Sequence, residues 1–181
     1  MAETKSIQVG SNHPLQNTEN MFYKEFPSDY RQIRYFTLLI VQKAPPEIKE
    51  INLLEQQISE IIKNAVKHGN KSDINKKIKV WYYFSNEEAR LIVEDEGEGF
   101  QKIKEWNQFN KERQKCLSQN DFEKLSQYVA YRTPSSDEHD GGNAMFAAVE
   151  YWNEGVVFTE KANCVAVGKK FSKKINGLQL D

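Results

Sequence analysis

Two short stretches carry more structural information than the rest of the chain: SEIIKNAVKHGN at residues 59–70 and DEGEGF at residues 95–100. In and just before the first stretch, apolar residues recur at helical spacing and predict the buried stripe of a helix: Ile58, Ile61, Ile62 and Ala65. Glu60 and Asn64 lie one helical turn apart and project together from another side of that helix. The second stretch ends an apolar strand with a carboxylate and a glycine-rich turn.

The composition limits the kinds of protein that this chain can be. Its 181 residues, 39% hydrophobic and 12% aromatic, are enough to bury one core, so one domain is expected. A net charge of -1 and a pI near 6.3 argue against a nucleic-acid partner bound through phosphate neutralisation. No run approaches the roughly 20 apolar residues of a membrane span, and no signal-peptide pattern opens the chain. Cys116 and Cys164 are too few for a disulfide framework or a zinc site, so we expect a cytoplasmic protein with two reduced thiols.

The chain divides into a tail and a folded part. Residues 1–20 are polar and show no hydrophobic period, which predicts a flexible N-terminal tail. Residues 21–175 are expected to form the single domain. Its predicted elements are, in order, a strand at 21–26, helices over 29–41 and 47–69, a hairpin over 78–94, a helix after Gly141 and Gly142, and a closing hairpin over 156–167. Strands that group with helices, rather than alternating strictly with them, predict a layered α+β sandwich.

A polar, partly helical insert is expected at residues 101–140. Six apolar residues are the predicted anchors of this insert: Ile103, Trp106, Phe109, Phe122, Leu125 and Val129.

The residue types of the two stretches fit the chemistry of a nucleotide triphosphate held with magnesium. Magnesium prefers oxygen ligands and keeps several waters, and the side-chain carbonyl of Asn64 on a rigid helix can serve as one ligand. Glu60, on the same face, can orient or deprotonate an attacking hydroxyl. Asp95 can accept a hydrogen bond from the amino group of adenine. Gly97 and Gly99 let the backbone approach the base and ribose, because no side chain intervenes.

Each of these signals has a simpler explanation when it stands alone. A Glu–Asn pair one turn apart is usually a solvated helix face, and Asp-x-Gly-x-Gly is often only a tight turn. The order in which they occur, helix, hairpin and then acidic glycine turn, is what favours a nucleotide site.

The same residues resemble those of a known superfamily. The pattern Glu60-x-x-x-Asn64-Ala65-x-Lys67-His68-Gly69, followed by the hairpin and Asp95-x-Gly97-x-Gly99-Phe100, resembles the GHKL, or Bergerat-type, ATPases. The resemblance runs from about Phe22 to Phe100. It is strongest to the bacterial anti-sigma factor/serine-protein kinases of partner-switching systems. Glu60 favours this branch over the sensor histidine kinases, and the phosphoacceptor helix of those kinases is absent.

The resemblance implies a fold, ligands and partners. The fold is a two-layer α/β sandwich of the GHKL type, with a mixed, mostly antiparallel sheet and helices on one face. The ligands are ATP and Mg²⁺. The activity is that of a serine/threonine-protein kinase, a transferase that phosphorylates a small antagonist protein of the anti-anti-sigma type. The same protein holds a sigma factor or similar target when that antagonist is absent, which regulates transcription. A homodimer is left open, since related kinases often dimerise.

The resemblance also implies a role for each site residue. Glu60 corresponds to the general base for the serine hydroxyl, and Asn64 to the magnesium ligand. Asp95 reads adenine, and Gly97 and Gly99 shape its pocket. Lys67 matches a position near the phosphates, although a solvated lysine is the simpler interpretation.

The stretch before the last helix departs from the family pattern. The family closes its site with a glycine-rich lid, whereas this chain has Asn143 where a glycine is expected. Gly141 and Gly142 could still cradle phosphates at the amino end of a helix. Asp137, Glu138 and Asp140 place negative charge beside them, and we interpret residues 137–140, with His139, as a solvated acidic loop. The long insert before them could be an elaborated lid, a surface for a partner or both, and Arg132 within it is more simply a surface residue than a γ-phosphate contact.

Three alternatives to an active kinase remain at this point. The chain could be a non-enzymatic partner-switch module with a degenerate lid. It could be a stand-alone catalytic domain of a histidine-kinase pathway, although Glu60 argues against this. It could also be an interaction protein that binds no nucleotide, in which case the glycine turn is purely structural.

Overall fold

The computed structural model of the chain describes residues 5–128 and 141–172, apart from the side chains of residues 141–143, and the backbone of two short strands beyond them. The strands are β1 (Ile7–Val9), β2 (Phe22–Pro27), β3 (Lys77–Phe84), β4 (Glu88–Glu94), β5 (Gly155–Phe158), β6 (Cys164–Lys170), β7 (Lys174–Ile175) and β8 (Leu178–Gln179). The helices are α1 (Ile33–Val41), α2 (Ile51–Lys63), α3 (Ile103–Ser118), α4 (Phe122–Leu125) and α5 (Gly141–Tyr151). Helix α2 continues directly into a π-helical turn, Asn64–Gly69.

The strands β1 to β6 form one mixed sheet in the order β1-β5-β6-β4-β3-β2. Strand β1 runs parallel to β5, and every other neighbouring pair in this sheet is antiparallel. The β3–β4 hairpin forms because apolar residues alternate along both strands, and its register sets Val80 opposite Val93 and Tyr82 opposite Leu91. The predicted α+β fold with a mixed sheet is therefore confirmed.

The main core lies between one face of this sheet and the helices. Helix α2 buries the predicted stripe: Ile58, Ile61 and Ile62, with Ala65 of the π-helical turn, are all at most 6% exposed. They pack in one cluster with Ile40 of α1, Trp106 of α3 and Met145 of α5, and with the inward residues of the strands. Packing of amphipathic faces on a sheet supplies most of the stability of helices of this length, which positions the end of α2 firmly over the sheet.

The N-terminal segment is part of the folded domain, so the prediction of a flexible tail at residues 1–20 is wrong for its described part. Residues Ile7–Val9 are the sheet strand β1. Leu15, in a short 3-10 turn, is 7% exposed and packs against Ile92, Val157 and Ala166. Arg90 of β4 donates hydrogen bonds to the carbonyl oxygens of Leu15 and Asn17, at 2.9 and 2.7 Å. Strand β1 is only three residues long and buries one side chain, Ile7, so the sequence shows no hydrophobic period there.

The insert after residue 100 docks on the fold through helix α3. Trp106 is fully buried and stacks on Phe146 of α5, with ring centroids 5.1 Å apart. Asn107 accepts a hydrogen bond from the Ile7 N–H at 2.8 Å and donates one to the Ile7 carbonyl at 2.9 Å, which ties α3 to β1. The prediction that Phe122 anchors the insert is wrong, because Phe122 is 67% exposed. Val129, Arg132 and residues 137–140 lie outside the described residues.

Two other findings concern membrane-spanning helices and the state of the cysteines. Among the described residues, no helix is long and apolar enough to cross a membrane. Neither cysteine forms a disulfide; burial is the main cause that raises the pKa of the Cys164 thiol, to about 12, so this thiol stays protonated at neutral pH.

The role of the N-terminal segment can be tested by stability measurements. Leu15→Ala should lower the free energy of unfolding by about 2 kcal/mol, because it opens a cavity in a buried cluster. Val9→Ala, at a residue that is 51% exposed in the same segment, should change it by less than about 0.5 kcal/mol. Urea denaturation of both variants checks this expectation, and equal effects would show that the segment is not packed on the sheet.

Candidate functional site

The end of helix α2 widens into a π-helical turn at the predicted site. The N–H of Asn64 still bonds to the carbonyl of Glu60, as in an α-helix. The N–H of Asn70 instead bonds to the carbonyl of Ala65, five residues earlier, at 2.8 Å. Such turns break the regular helical ladder and are frequent at functional sites. Here the turn carries the backbone of Gly69 onto the exit of strand β4.

A cavity of about 270 Å³ opens beside this turn, between α2, α5 and strands β4 to β6. Most of its lining is apolar: Ile61, Ala65, Val93, Phe100, Met145, Ala148, Val156, Phe158, Ala162, Val165 and Val167. Polar groups are few and include Asn64, His68, Asp95, Gln101, Lys102 and Asn163. A mostly apolar pocket with a small number of placed polar groups is the usual form of a small-molecule site.

Asp95 is held at the cavity by backbone hydrogen bonds on both sides. Its N–H donates to the carbonyl of Asn163 at 2.9 Å, and the side-chain amide of Asn163 donates to the Asp95 carbonyl at 2.8 Å. Its Oδ1 accepts a hydrogen bond from the N–H of Gly97 at 2.8 Å. Within the described residues, Oδ2 accepts no hydrogen bond, so this oxygen can receive one from a ligand.

The environment of Asp95 disfavours its charge. Burial is the main cause that raises the pKa of this carboxyl, and the Gly97 N–H opposes the rise. The neighbouring Glu94 raises the pKa further, whereas Lys161 and Lys76 lower it. A partly desolvated carboxylate gains more from a hydrogen-bond donor than a solvated one does, which suits the recognition of an amino group.

The glycines around Asp95 are required by contacts within the protein. A Cβ on Gly69 would overlap the Asp95 carboxylate, and a Cβ on Gly97 would overlap the carbonyl oxygen of Gly69. Gly99 has a φ of +96°, and its Cβ would overlap the carbonyl oxygen of Lys161. Gly99 also lines the cavity, whereas Gly97 does not. The glycine pattern thus packs the acidic turn between the π-helical turn and the β5–β6 turn.

Asn64 is the predicted metal ligand and lies at the cavity. It is half-buried, and its side-chain amide makes no hydrogen bond with the described residues. Those residues contain no group of three or more His, Cys, Asp or Glu side chains that could hold a metal ion. A single amide oxygen fits Mg²⁺ that is bound mainly through substrate phosphates and water, and it does not fit an all-protein metal site.

Glu60 and Lys67, like Gly97, lie outside the cavity lining. Glu60 is half-buried on α2, and its carboxylate makes no hydrogen bond or ion pair with the described residues. Lys67 is exposed, and its Nζ lies 5.8 Å from the ring centroid of Tyr30. Its observed contact is therefore with an aromatic ring and not with the cavity.

Gly141 and Gly142 are the first two residues of helix α5. Met145 and Ala148 of the same helix line the cavity. The two glycines therefore precede the first cavity-lining residue of α5 by about one helical turn. The side chain of Asn143 and the acidic residues 137–140 lie outside the described part of the protein.

Two residues that support the site, Asn163 and Asn70, were not predicted from the sequence. Asn163 holds Asp95 from the β5–β6 turn, a pairing that no short sequence pattern reveals. Asn70 is 1% exposed, and its side chain joins three separate segments. Its sequence signal, an asparagine after a glycine at the end of a helix, reads only as a helix terminator.

Comparison with known proteins adds no relative: no protein-family model and no curated protein matches the chain.

The packing role of the glycine turn predicts a large effect at Gly99. Gly99→Ala should lower the free energy of unfolding by at least about 2 kcal/mol, because φ is positive and the added Cβ meets backbone. Gly10→Ala is the matched control: no atom lies within 4 Å of its added Cβ, and we expect a change of less than about 0.5 kcal/mol. Urea denaturation measures both, and a Gly99→Ala chain as stable as the control would contradict the close contact.

Proposed function

We propose that this chain is a GHKL-type ATP-binding domain and acts as a cytoplasmic serine/threonine-protein kinase and anti-sigma factor of a partner-switching system. The observation that carries the proposal is one apolar cavity lined by both Asn64 and Asp95. Thirty-one positions separate them in the chain, on different elements, yet both belong to the pattern that resembles the superfamily.

The base end of the nucleotide is assigned to Asp95. Its Oδ2 would accept a hydrogen bond from the exocyclic amino group of adenine, while Oδ1 keeps its bond to the Gly97 N–H. Apolar side chains such as Met145 and Phe158 would cover the faces of the ring. A base with a carbonyl at this position would face Asp95 Oδ2 with a second acceptor and leave both without a donor. Such a base is therefore disfavoured, because an unsatisfied buried acceptor costs free energy.

The phosphate end is assigned to Asn64 and to the start of helix α5. The Asn64 carbonyl would hold Mg²⁺, which supplies neutralisation of phosphate charge when it is bound. The backbone N–H groups of Gly141 and Gly142, at the start of this helix, would donate hydrogen bonds to phosphate oxygens. Lys102, which also lines the cavity, adds positive charge.

Phosphoryl transfer is assigned to Glu60. The oxygen of a partner's serine or threonine hydroxyl forms a bond to the γ-phosphorus, and the bond between that phosphorus and the β–γ bridging oxygen breaks, which releases ADP. The Glu60 carboxylate takes the hydroxyl proton. Its freedom from hydrogen bonds and ion pairs within the described residues leaves it available as this base.

Exposed apolar residues near α1 support a protein partner. Tyr30, Tyr35 and Leu38 are between 43% and 58% exposed. Aromatic side chains on the surface are typical of protein–protein interfaces. The proposed partners are a small antagonist protein, which is the phosphoacceptor, and a sigma factor or similar target.

Nucleotide binding is the first test. Calorimetry should give micromolar binding of Mg-ATP to the unmodified chain. Asp95→Asn should weaken the binding of ATP and of adenosine at least about tenfold, because the charged acceptor for the amino group is lost. Asn64→Ala should weaken Mg-ATP by a similar factor and leave adenosine within about twofold, because it removes only the metal ligand.

Two variants serve as matched controls for this test. Glu98→Gln makes the same carboxylate-to-amide change on the exposed side of the acidic turn, and Gln56→Ala removes an exposed amide from α2. Both should bind ATP as the unmodified chain does. If the unmodified chain bound no nucleotide, the kinase proposal would fail, and the fold would stand only as a scaffold for protein recognition.

A binding module without phosphotransfer is the second candidate, and one observation favours it. Glu60 does not line the cavity, so the cavity walls do not hold its carboxylate next to the γ-phosphate of a bound nucleotide. Such a module would bind nucleotide and both protein partners and leave ATP intact.

Glu60→Gln separates the two candidates. For a kinase, transfer of label from [γ-³²P]ATP to the serine of a purified antagonist protein should fall at least about 100-fold, because the base is lost, with Mg-ATP affinity within about twofold. Glu55→Gln, on the same helix and outside the cavity lining, should keep full transfer. Nucleotide binding without any transfer by the unmodified chain would favour the second candidate.

A further inference from the structure

Asn70 is a buried residue whose side chain connects the end of the π-helical turn to the acidic turn at residues 95–99. Its Oδ1 accepts a hydrogen bond from the N–H of Glu96 at 2.7 Å. Its Nδ2 donates to the Ser28 hydroxyl at 2.8 Å and to the Lys77 carbonyl at 3.0 Å. The side chain therefore bridges three segments: the exit of β2, the start of β3 and the exit of β4.

The hydrogen bonds of Asn70 leave no donor for a ligand. Both amide hydrogens are used, its backbone N–H bonds to Ala65, and its own carbonyl accepts from Asp73. Asn70 is 1% exposed and does not line the cavity. Any effect of Asn70 on a bound molecule must therefore pass through the residues that it holds.

The residue that Asn70 holds is next to the proposed base-reading carboxylate. Glu96 follows Asp95 directly, and the next N–H, of Gly97, is the one that orients Asp95 Oδ1. Gly69, which precedes Asn70, lies against the same carboxylate. One short hydrogen bond, from the Glu96 N–H to Asn70 Oδ1, thus ties the Asp95–Gly97 turn to the end of helix α2, in addition to the hydrogen bonds between Asp95 and Asn163.

We propose that Asn70 is a positioning residue for base selection, which holds the Asp95–Gly97 turn where the Asp95 carboxylate can accept the amino group of adenine. This inference rests on the proposed nucleotide site. It predicts that Asn70 controls the preference for a 6-amino purine more than it controls nucleotide binding in general. A purely structural role would weaken all nucleotides alike.

The test compares ATP with purine riboside triphosphate, which lacks the 6-amino group. The unmodified chain should prefer ATP at least about tenfold, the value of one good hydrogen bond to a charged acceptor. Asn70→Ala and Asn70→Ser should both reduce this preference to about twofold or less and keep the binding of purine riboside triphosphate. Two variants are used so that loss of the fold in one, which circular dichroism detects, leaves the other to test the inference.

Ser28→Ala is the matched control. It removes one partner of Nδ2 at the far end of the bridge and leaves the Oδ1 bond to Glu96 in place. This variant should keep the full preference for ATP, although it also loses a buried hydrogen bond. Equal weakening of both nucleotides by the Asn70 variants would overturn the inference.

A second measurement separates this inference from the proposed function. Amide hydrogen exchange without nucleotide should show Gly97 protected in the unmodified chain and in Ser28→Ala. In the Asn70 variants, Gly97 should exchange at least about tenfold faster, because the turn that orients Asp95 loosens. A chain that binds no nucleotide but shows this exchange pattern would refute the proposed site and keep the role of Asn70 in positioning the turn. Unchanged exchange at Gly97 would overturn that role.

Discussion

The contact between two stretches of backbone, at Gly69 and Gly97, is the constraint on which the site depends. The carbonyl of Gly69 and the carboxylate of Asp95 occupy the space where side chains would otherwise lie. Helix α2 can reach the exit of strand β4 only because both residues lack a Cβ. The π-helical turn delivers Gly69 to this point, and Asn70 then secures the contact through its bond to the Glu96 N–H. The cavity lies beside this contact, and Gly69 and Asp95 both line it.

The same arrangement explains the electrostatics of the site. Asp95 is brought out of water by the elements that pack around it, and burial raises the pKa of its carboxyl. One oxygen, Oδ1, accepts a hydrogen bond from the Gly97 N–H, and within the described residues the other oxygen accepts none. A carboxylate held in this way costs stability that a ligand with a suitable donor can return. Stability is commonly given up in this manner at binding sites.

The helical layer and the N-terminal segment differ in how well the sequence predicts them. The helical face follows from periodicity, since Ile58, Ile61 and Ile62 recur at helical spacing and Ile78, Val80 and Tyr82 alternate along β3. The N-terminal segment is not predicted in this way, because β1 and the turn at Leu15 are short and polar in composition. Their stability comes from pairing with β5 and from the Arg90 hydrogen bonds to the Leu15 and Asn17 carbonyls. Partners of this kind are distant in the chain, so no local pattern reports them.

The amino-acid sequence by itself determined the elements of the helical layer, the β3–β4 hairpin and the residue types of the site. These depend on local periodicity and turn chemistry, which are readable within a few residues. Only the tertiary structure decided which of those residues meet. Asn64 and Asp95 line one cavity, whereas Glu60 lies outside its lining and Lys67 lies beside the ring of Tyr30. Asn70 and Asn163 hold the acidic turn by hydrogen bonds. The physical reason is that such meetings depend on helix packing and on backbone contacts between segments far apart in the chain.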